Sequence, residues 1–171
     1  MAMEENKRIF SVLAENHPGV LLRVTGLFSR RAFNIESLVA SATQSPQYSR
    51  ISLVATGDDA TYKQITRQLL KLEEVVKVEM LETENCSVSE LLLVKVSADA
   101  GNRSEVLLAV QAAGGRVLDI GETTITVEMS GCTAVVDRFV ETMERFGIRE
   151  MARSGVSALE RGDGTIHDLA E

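Results

Sequence analysis

The order of strand-like and helix-like segments places this 171-residue chain in the α+β class, as two βαββαβ domains in tandem. Segments with alternating apolar residues and segments with apolar residues at helical spacing follow one another in the same order in each half. A polar stretch without periodicity, ETENCSVS from Glu82 to Ser89, separates the halves. We therefore predict an N-terminal domain over residues 1–82 and a C-terminal domain over residues 83–171.

The first half contains four strand-like and two helix-like segments. In chain order they are strand Arg8–Ala14, helix Val20–Arg31, strands Asn34–Thr43 and Tyr48–Thr56, helix Ala60–Leu72 and strand Val75–Leu81. The turn between the second and third strands contains Pro46, which favours a hairpin. Asp58 or Asp59 can cap the second helix through its carboxylate. This order packs as a four-stranded antiparallel sheet with both helices on one face, which is a ferredoxin-like fold.

The second half repeats this architecture without repeating the residues. Its segments are strand Glu90–Ser97, helix Asn102–Ala113, strands Arg116–Ile120 and Thr123–Met129, helix Thr133–Arg145 and strand Ile148–Ala152. Gly114 and Gly115 are the expected C-terminal stop of its first helix. The tail Arg161–Glu171 has no apolar period, so we expect it to be mobile.

Composition and charge exclude several classes of protein. The net charge of −7 argues against broad binding to nucleic acids or anionic membranes, which requires a basic surface. No apolar run reaches the roughly 18 to 20 residues that cross a bilayer, and the N-terminal MAMEENKR has acidic residues unlike a targeting peptide. We expect a cytoplasmic protein. Cys86 and Cys132 have no CxxC pattern and no nearby histidine, so we expect reduced thiols and no metal site.

The loop between the first strand and the first helix is the candidate binding site. A helix that begins at Pro18 or Gly19 presents unpaired backbone N–H groups and its positive dipole end, which suits a small carboxylate. Gly19 permits close approach, while Asn16 and Asn34 bring amide groups that can bind an ammonium or a carboxylate. The alternative is structural: a strand-to-helix turn with Asn16 as a local cap and apolar core residues after it. Spacing alone favours this alternative.

Motifs of catalysis are absent from the sequence. It contains no GxSxG, GxxxxGK[ST], HExxH or dinucleotide-binding pattern. His17 would need a partner to act as a general base, and none is evident nearby. An RNA-recognition module shares the βαββαβ order but stacks bases on aromatic residues within a basic surface. The corresponding strands here, IFSVLAE and RISLVAT, have one aromatic residue and no basic cluster.

Several segments carry a resemblance to a known family. They are ENHPGVLLRVTGLFSRRAFNIESL from Glu15, the Ser49-Arg50 pair, QLLKLEEVVKV from Gln68, ELLLVKV from Glu90 and ARSGV from Ala152. In order and spacing, from Arg8 to Arg161, the chain resembles the small, regulatory subunits of acetolactate synthase, also called acetohydroxyacid synthase. The ENxxG loop alone is common to ACT domains of many amino-acid-sensing proteins, whereas ELLLVKV together with ARSG is more specific.

The resemblance implies that the first domain is an ACT domain and that the chain has no catalysis of its own. Its partner would be a large subunit that uses thiamine diphosphate, magnesium and FAD to condense two pyruvates, or pyruvate and 2-oxobutyrate. The small subunit would raise that activity and confer feedback inhibition by a branched-chain amino acid, usually valine, bound where the ACT domains of a homodimer meet. The implied effector-binding residues are Asn16, His17, Pro18, Gly19, Val20 and Leu21 of one chain with Asn34 and Ile35 of the other.

Two positions depart from the family pattern. Ala32 precedes Phe33 where glycine is usual, which can reshape the turn if a positive φ is needed. Ser89 stands where an arginine commonly precedes the ELLLVKV strand. We expect these departures to affect effector preference or subunit affinity and not the fold.

Two other functions fit the same fold. A free-standing ACT-type amino-acid sensor acting on another enzyme is the main alternative. As a transcriptional regulator it would need an output domain such as a helix-turn-helix, for which we find no spare stretch. A small ferredoxin-like enzyme is the third possibility, and it would need a nucleophile or a metal cluster that the sequence does not show.

Overall fold

The computed structural model describes residues 7–167, which form two compact units. The first unit comprises residues 7–87 together with 156–167, and the second comprises residues 88–155. The C-terminal segment thus belongs with the N-terminal unit, whereas the sequence-based division placed it with the second domain. The reason is burial, since Val156, Ala158 and Ile166 are 6%, 4% and 3% exposed.

The first unit has the predicted ferredoxin-like βαββαβ order. Its elements are β1 (Lys7–Glu15), α1 (Val20–Arg31), β2 (Asn34–Ala42), β3 (Tyr48–Thr56), α2 (Asp59–Leu69) and β4 (Val75–Leu81). The strands form an antiparallel sheet in the order β2-β3-β1-β4. One face of the sheet packs against both helices: Phe10, Ile51 and Leu53 form a single buried cluster with Val24 of α1 and Ile65 of α2.

Both ends of α2 have a local explanation. The Asp58 carboxylate accepts the Thr61 backbone N–H at 2.8 Å, which confirms the predicted cap. The Thr61 hydroxyl and backbone N–H together lower the pKa of Asp58. The helix ends at Leu69 and not at Leu72, because the N–H groups of Lys71 and Leu72 bond three residues back and form turns.

The second unit repeats the fold, as predicted. Its elements are β5 (Cys86–Ser97), which begins at the end of the first unit, α3 (Arg103–Ala113), β6 (Arg116–Ile120), β7 (Thr124–Gly131), α4 (Thr133–Glu144) and β8 (Ile148–Arg153). The strand order is β6-β7-β5-β8, and a ninth strand, β9 (Ser157–Glu160), pairs with β5. Gly114 ends α3 in the left-handed conformation with φ 78°, which confirms the predicted stop.

The boundary between the two units, after Ser87, lies within the predicted linker, and both the linker and the predicted tail contain a buried residue. The predicted linker, Glu82–Ser89, contains a short 3₁₀ turn over Thr83–Asn85, and β5 begins within it at Cys86. Cys86 is 3% exposed, so this polar segment has a buried position that periodicity could not reveal. The predicted mobile tail, Arg161–Glu171, includes the buried Ile166, and residues 168–171 lie outside the described part of the chain.

An ion pair with a buried carboxylate joins the first half of β5 to the end of β8. Glu90, whose side chain is 3% exposed, accepts hydrogen bonds from Arg153 and from the Thr133 hydroxyl. Arg153 also donates to Asp137 at 2.7 Å. Burial alone would lower the pKa of Arg153, but the two carboxylates outweigh it and raise that pKa. The network fixes β5, α4 and β8 against one another.

Replacing Arg153 with alanine should destabilise the second unit by about 3 kcal/mol, because the Glu90 carboxylate would stay buried without its cation. Arg145→Ala is the matched control, since Arg145 faces Glu105 at 3.7 Å in an exposed pair. That change should cost less than about 1 kcal/mol. Urea unfolding of both variants measures the difference. Equal losses would show that the Glu90 network has no special role.

Candidate effector site

The loop after β1 leads into an open helix terminus. Gly19 is the N-cap of α1, with φ 97° and ψ −18°, and the helix begins at Val20, as its apolar spacing predicted. The first intrahelical bond runs from the Arg23 N–H to the Gly19 carbonyl at 3.0 Å. The N–H groups of the first turn therefore have no acceptor within the helix, and no side chain caps them at Gly19. They present donors and the positive dipole end to an anion.

Glycine is required at position 19 by its backbone conformation. A φ of 97° is strained for any residue with a Cβ. A Cβ placed there would meet no heavy atom within 4 Å, so crowding is not the reason. The space beside Gly19 is open in the single chain.

Asn16 holds the loop and is not a free ligand-binding amide. Its Nδ2 donates to the Pro46 carbonyl at 3.1 Å, and its Oδ1 accepts the Ser49 hydroxyl at 2.8 Å. Its backbone N–H also donates to the Gln47 carbonyl at 2.8 Å. Asn16 thus clamps the β2–β3 turn to the loop, while its exposed amide retains one further donor and one further acceptor position. Sequence reasoning missed this clamp because its partners lie thirty or more residues away.

Charged side chains surround the start of α1. His17 is exposed, with Nδ1 3.1 Å from the Pro18 carbonyl and Nε2 3.2 Å from Glu15. Arg23 pairs with Glu74 at 2.5 Å. The backbone N–H of Glu74 lowers the pKa of this carboxylate most, and Arg23 and His17 lower it further against the opposing effect of burial. Acidic and basic side chains therefore both lie around the start of α1.

The apolar residues predicted for the site divide into two groups. Val20 is 4% exposed and belongs to the core, and Ile35 is half-buried against the same core. Leu21 is 42% exposed, and its neighbour Leu22, which was not predicted, is 75% exposed. Helical spacing from the buried Val20, Val24, Leu27 and Phe28 places Leu22 away from the core, so its exposure could have been predicted from the sequence. Leu21 and Leu22 are the side chains free to line a site.

The predicted residues fall into two half-sites at opposite ends of one sheet. The loop half-site, Asn16–Leu21, follows Glu15, which is paired with Tyr48. The strand half-site, Asn34 and Ile35, begins β2. Asn34 is paired with Thr56 of β3, which is paired in turn with Lys7 at the start of β1. β1 is nine residues long, so the two half-sites are about 27 Å apart along the strand direction. One chain does not bring the half-sites together.

The strand half-site lies on an edge strand. Among the described strands, β2 pairs with β3 on one side only, and the register shifts between Ile35 and Ser37 at a bulge. Glu36, within the bulge, bonds to the Thr56 hydroxyl and to Lys7 at 3.0 Å. Burial would raise the pKa of Glu36, but these two contacts outweigh it and lower that pKa.

Ala32 occupies a left-handed position between α1 and the strand half-site. Its φ is 54°, the only positive φ of a non-glycine residue in the described range 7–167. The Ala32 N–H bonds to Ser29 at 3.2 Å and the Phe33 N–H bonds to Phe28 at 3.0 Å, which is a Schellman motif. The rings of Phe28 and Phe33 pack edge to face at 5.8 Å and complete it. This motif explains why glycine is usual there.

Metal and membrane sites were also sought within residues 7–167. No group of three His, Cys, Asp or Glu side chains in that range is placed to hold a metal ion. In the same range, no helix is both long and apolar enough to cross a bilayer. The groups that the loop half-site offers are backbone donors, an amide and exposed leucines.

Two family models match the chain. The model described as AHAS small subunit-like ACT domain matches residues 10–77, within the first unit. The model described as small subunit of acetolactate synthase matches residues 89–162. A probable acetolactate synthase small subunit from Methanothermobacter thermautotrophicus is 42% identical over 165 residues, covering 96% of this chain and 98% of that protein. The chain belongs to the acetolactate synthase small-subunit family.

Other members of the acetolactate synthase small-subunit family agree with this assignment. The small subunit from Mycobacterium bovis is 44% identical over 160 residues, covering 94% of this chain and 95% of that one. The crystal structure of the small subunit from Thermotoga maritima superposes with a TM-score of 0.86 at 33% identity, covering 92% and 99% of the two chains. The ACT-domain fold of the first unit is thereby confirmed.

Replacing Ala32 with glycine should stabilise the first unit by about 0.5–1 kcal/mol. Relief of left-handed strain, worth about 1–2 kcal/mol, exceeds the added chain entropy of glycine. Ala60→Gly in the first turn of α2 is the control and should destabilise by up to about 1 kcal/mol. Urea titration reports both changes. A loss of stability in Ala32→Gly would contradict the assigned turn conformation.

Proposed function

We propose that the chain is the regulatory subunit of an acetolactate synthase and that valine binds between the ACT domains of two copies. The observation that supports this most is the separation of the two half-sites by about 27 Å along the sheet of one chain. The loop half-site offers donors but is open, and the strand half-site lies on an unpaired edge. In a dimer, the strand half-site of one copy would complete the loop half-site of the other.

The edge strand β2 provides the geometry for such a pair. If two copies join antiparallel along β2, a two-fold axis brings the Asn34 end of one strand to the Ala42 end of the other. Ala42 is opposite Ser49, beside the loop half-site. Asn34 of the partner subunit would then face Gly19, and two equivalent sites would form. This arrangement joins the half-sites without any change within a chain.

The chemistry of the combined site matches a free branched-chain amino acid. The first turn of α1 holds the carboxylate, amide oxygens accept the ammonium, and exposed Leu21 and Leu22 contact the branched side chain. Valine has few heavy atoms, and each contributes at most about 1.5 kcal/mol. That ceiling permits nanomolar binding at best, and we expect an open site to fall well short of it, with a dissociation constant in the micromolar to millimolar range.

Regulation requires a catalytic partner. In this proposal a large subunit carries thiamine diphosphate, magnesium and FAD, and the small subunit raises its activity. Valine favours one geometry of the small-subunit dimer and thereby lowers that activity. A coupling free energy of about 1–3 kcal/mol gives inhibition of several-fold or more. Capture of the full chain from its own cell extract should recover a much larger thiamine-diphosphate enzyme, whereas recovery of another enzyme would favour a free-standing sensor.

Replacing Gly19 with aspartate should abolish most valine sensitivity. The new carboxylate would occupy the place of the ligand's carboxylate at the helix terminus and repel it. Loss of one charge-assisted contact of about 1.5 kcal/mol corresponds to a roughly tenfold rise in the valine concentration for half-maximal inhibition. The measurement is inhibition of the reconstituted enzyme.

Gly114→Asp is the matched control for this variant. Gly114 also has a positive φ, 78°, and a Cβ there meets nothing within 4 Å. It lies in the second unit, so valine sensitivity should stay at the wild-type value. If Gly19→Asp is inhibited like the wild type, the loop half-site does not bind the effector.

A further inference from the structure

The first unit carries a covering segment that the βαββαβ fold does not require. Residues 156–167, which we call the strap, contain β9 and end near His167. The N–H of Arg161 bonds to the Asn85 carbonyl at 2.8 Å, and Ile166 is 3% exposed. The strap is therefore a bound part of the first unit.

The strap lies on the sheet face opposite the helices. Ile51, Leu53 and Ala55 of β3 point to the helices, so Arg50, Ser52 and Val54 point away from them. Arg50 donates to the carbonyl of Ala158 in the strap at 3.0 Å. Ser37, which is opposite Val54 and shares that face, accepts the Val156 N–H at 3.0 Å.

The strap contacts Ser37 and Tyr48, which lie beside the two half-sites. At its start, the bond from Val156 reaches Ser37, directly after the bulge that follows Asn34 and Ile35. At its end, the rings of His167 and Tyr48 lie 6.3 Å apart. Tyr48 is paired with Glu15 and stands next to Ser49, the partner of Asn16. The strap thus spans the sheet from one half-site to the other within a single chain.

The start of the strap continues directly into the second unit. Ser154 is fixed to Leu91 by two hydrogen bonds of 2.9 and 3.0 Å, and Val156 is fixed to Ser37. Gly155, with φ 84°, is the single residue between these two anchors. The strap and β8 are therefore anchored on either side of one residue, Gly155.

The sheet face beneath the strap contains polar atoms whose hydrogen bonding is incomplete. Ser11 Oγ and Arg50 Nε are buried without a hydrogen-bond partner, and Ser11 is fully buried. Burial lowers the pKa of Arg50, although Glu79 opposes this effect. Buried polar atoms without partners cost free energy, so the strap is held less firmly than the core.

We propose that the strap couples the two half-sites of each chain and passes the state of the effector site to the second unit through Gly155. This inference rests on the proposed effector site and extends it. Valine bound at both half-sites would tighten the strap contacts at Ser37 and Tyr48.

Hydrogen exchange of the full chain, with and without saturating valine, tests this relay. The expected result is slower exchange, by at least roughly threefold, at the amides of Val156 and Arg161 as well as in both half-sites. Slower exchange in the half-sites alone would overturn the relay and leave the proposed function intact. No change anywhere would overturn both.

A matched pair of variants tests the relay by activity. Ile166→Ser loosens the buried end of the strap, whereas Leu159→Ser makes a similar change at a strap residue that is 58% exposed. In the reconstituted enzyme, Ile166→Ser should weaken valine inhibition at least about fivefold, and Leu159→Ser should not. Calorimetry should show that Ile166→Ser still binds valine. Unchanged inhibition, or loss of binding itself, would overturn the relay.

Discussion

The antiparallel pairing of β1 with β3 is the constraint on which the rest of the site depends. It sets Glu15 beside Tyr48 at one end of the sheet and Lys7 beside Thr56 at the other. The loop that follows β1 and the start of β2 are consequently separated by the full length of the sheet. No side-chain rearrangement within one chain can close that distance, so a ligand that needs both half-sites needs two chains.

Local structure then prepares each half-site without a ligand. Gly19 accepts a left-handed φ that opens the first turn of α1, and Asn16 fixes the loop against the β2–β3 turn. The Schellman motif at Ala32 sets the direction in which the chain enters β2. In the proposed function, binding energy would therefore not be consumed in ordering the loop, which matters for a small ligand. In the second unit, the Glu90–Arg153 pair has the same ordering role for the end of β8.

Sequence reasoning predicted the regular parts of this molecule and failed at long-range contacts. Within residues 7–167, periodicity located the four α-helices and eight of the nine strands. It missed β9, which is only four residues long and whose pairing with β5 has no local signal. The same limit hid the buried Ile166 and the contacts of Asn16. Val20 and Ile35 matched the family pattern, yet they pack into the core, since spacing does not distinguish a core residue from a residue lining a site.

The most direct test of the shared site is valine binding by a mixture of two defective chains. Gly19→Asp damages the loop half-site, and Asn34→Glu damages the exposed strand half-site. Each variant alone should bind valine at least about tenfold more weakly than the wild type by calorimetry. After co-refolding at equal amounts, every mixed dimer regains one intact site, so about a quarter of the wild-type sites should return with wild-type affinity. A mixture of folded chains that regains no site of wild-type affinity would contradict the account.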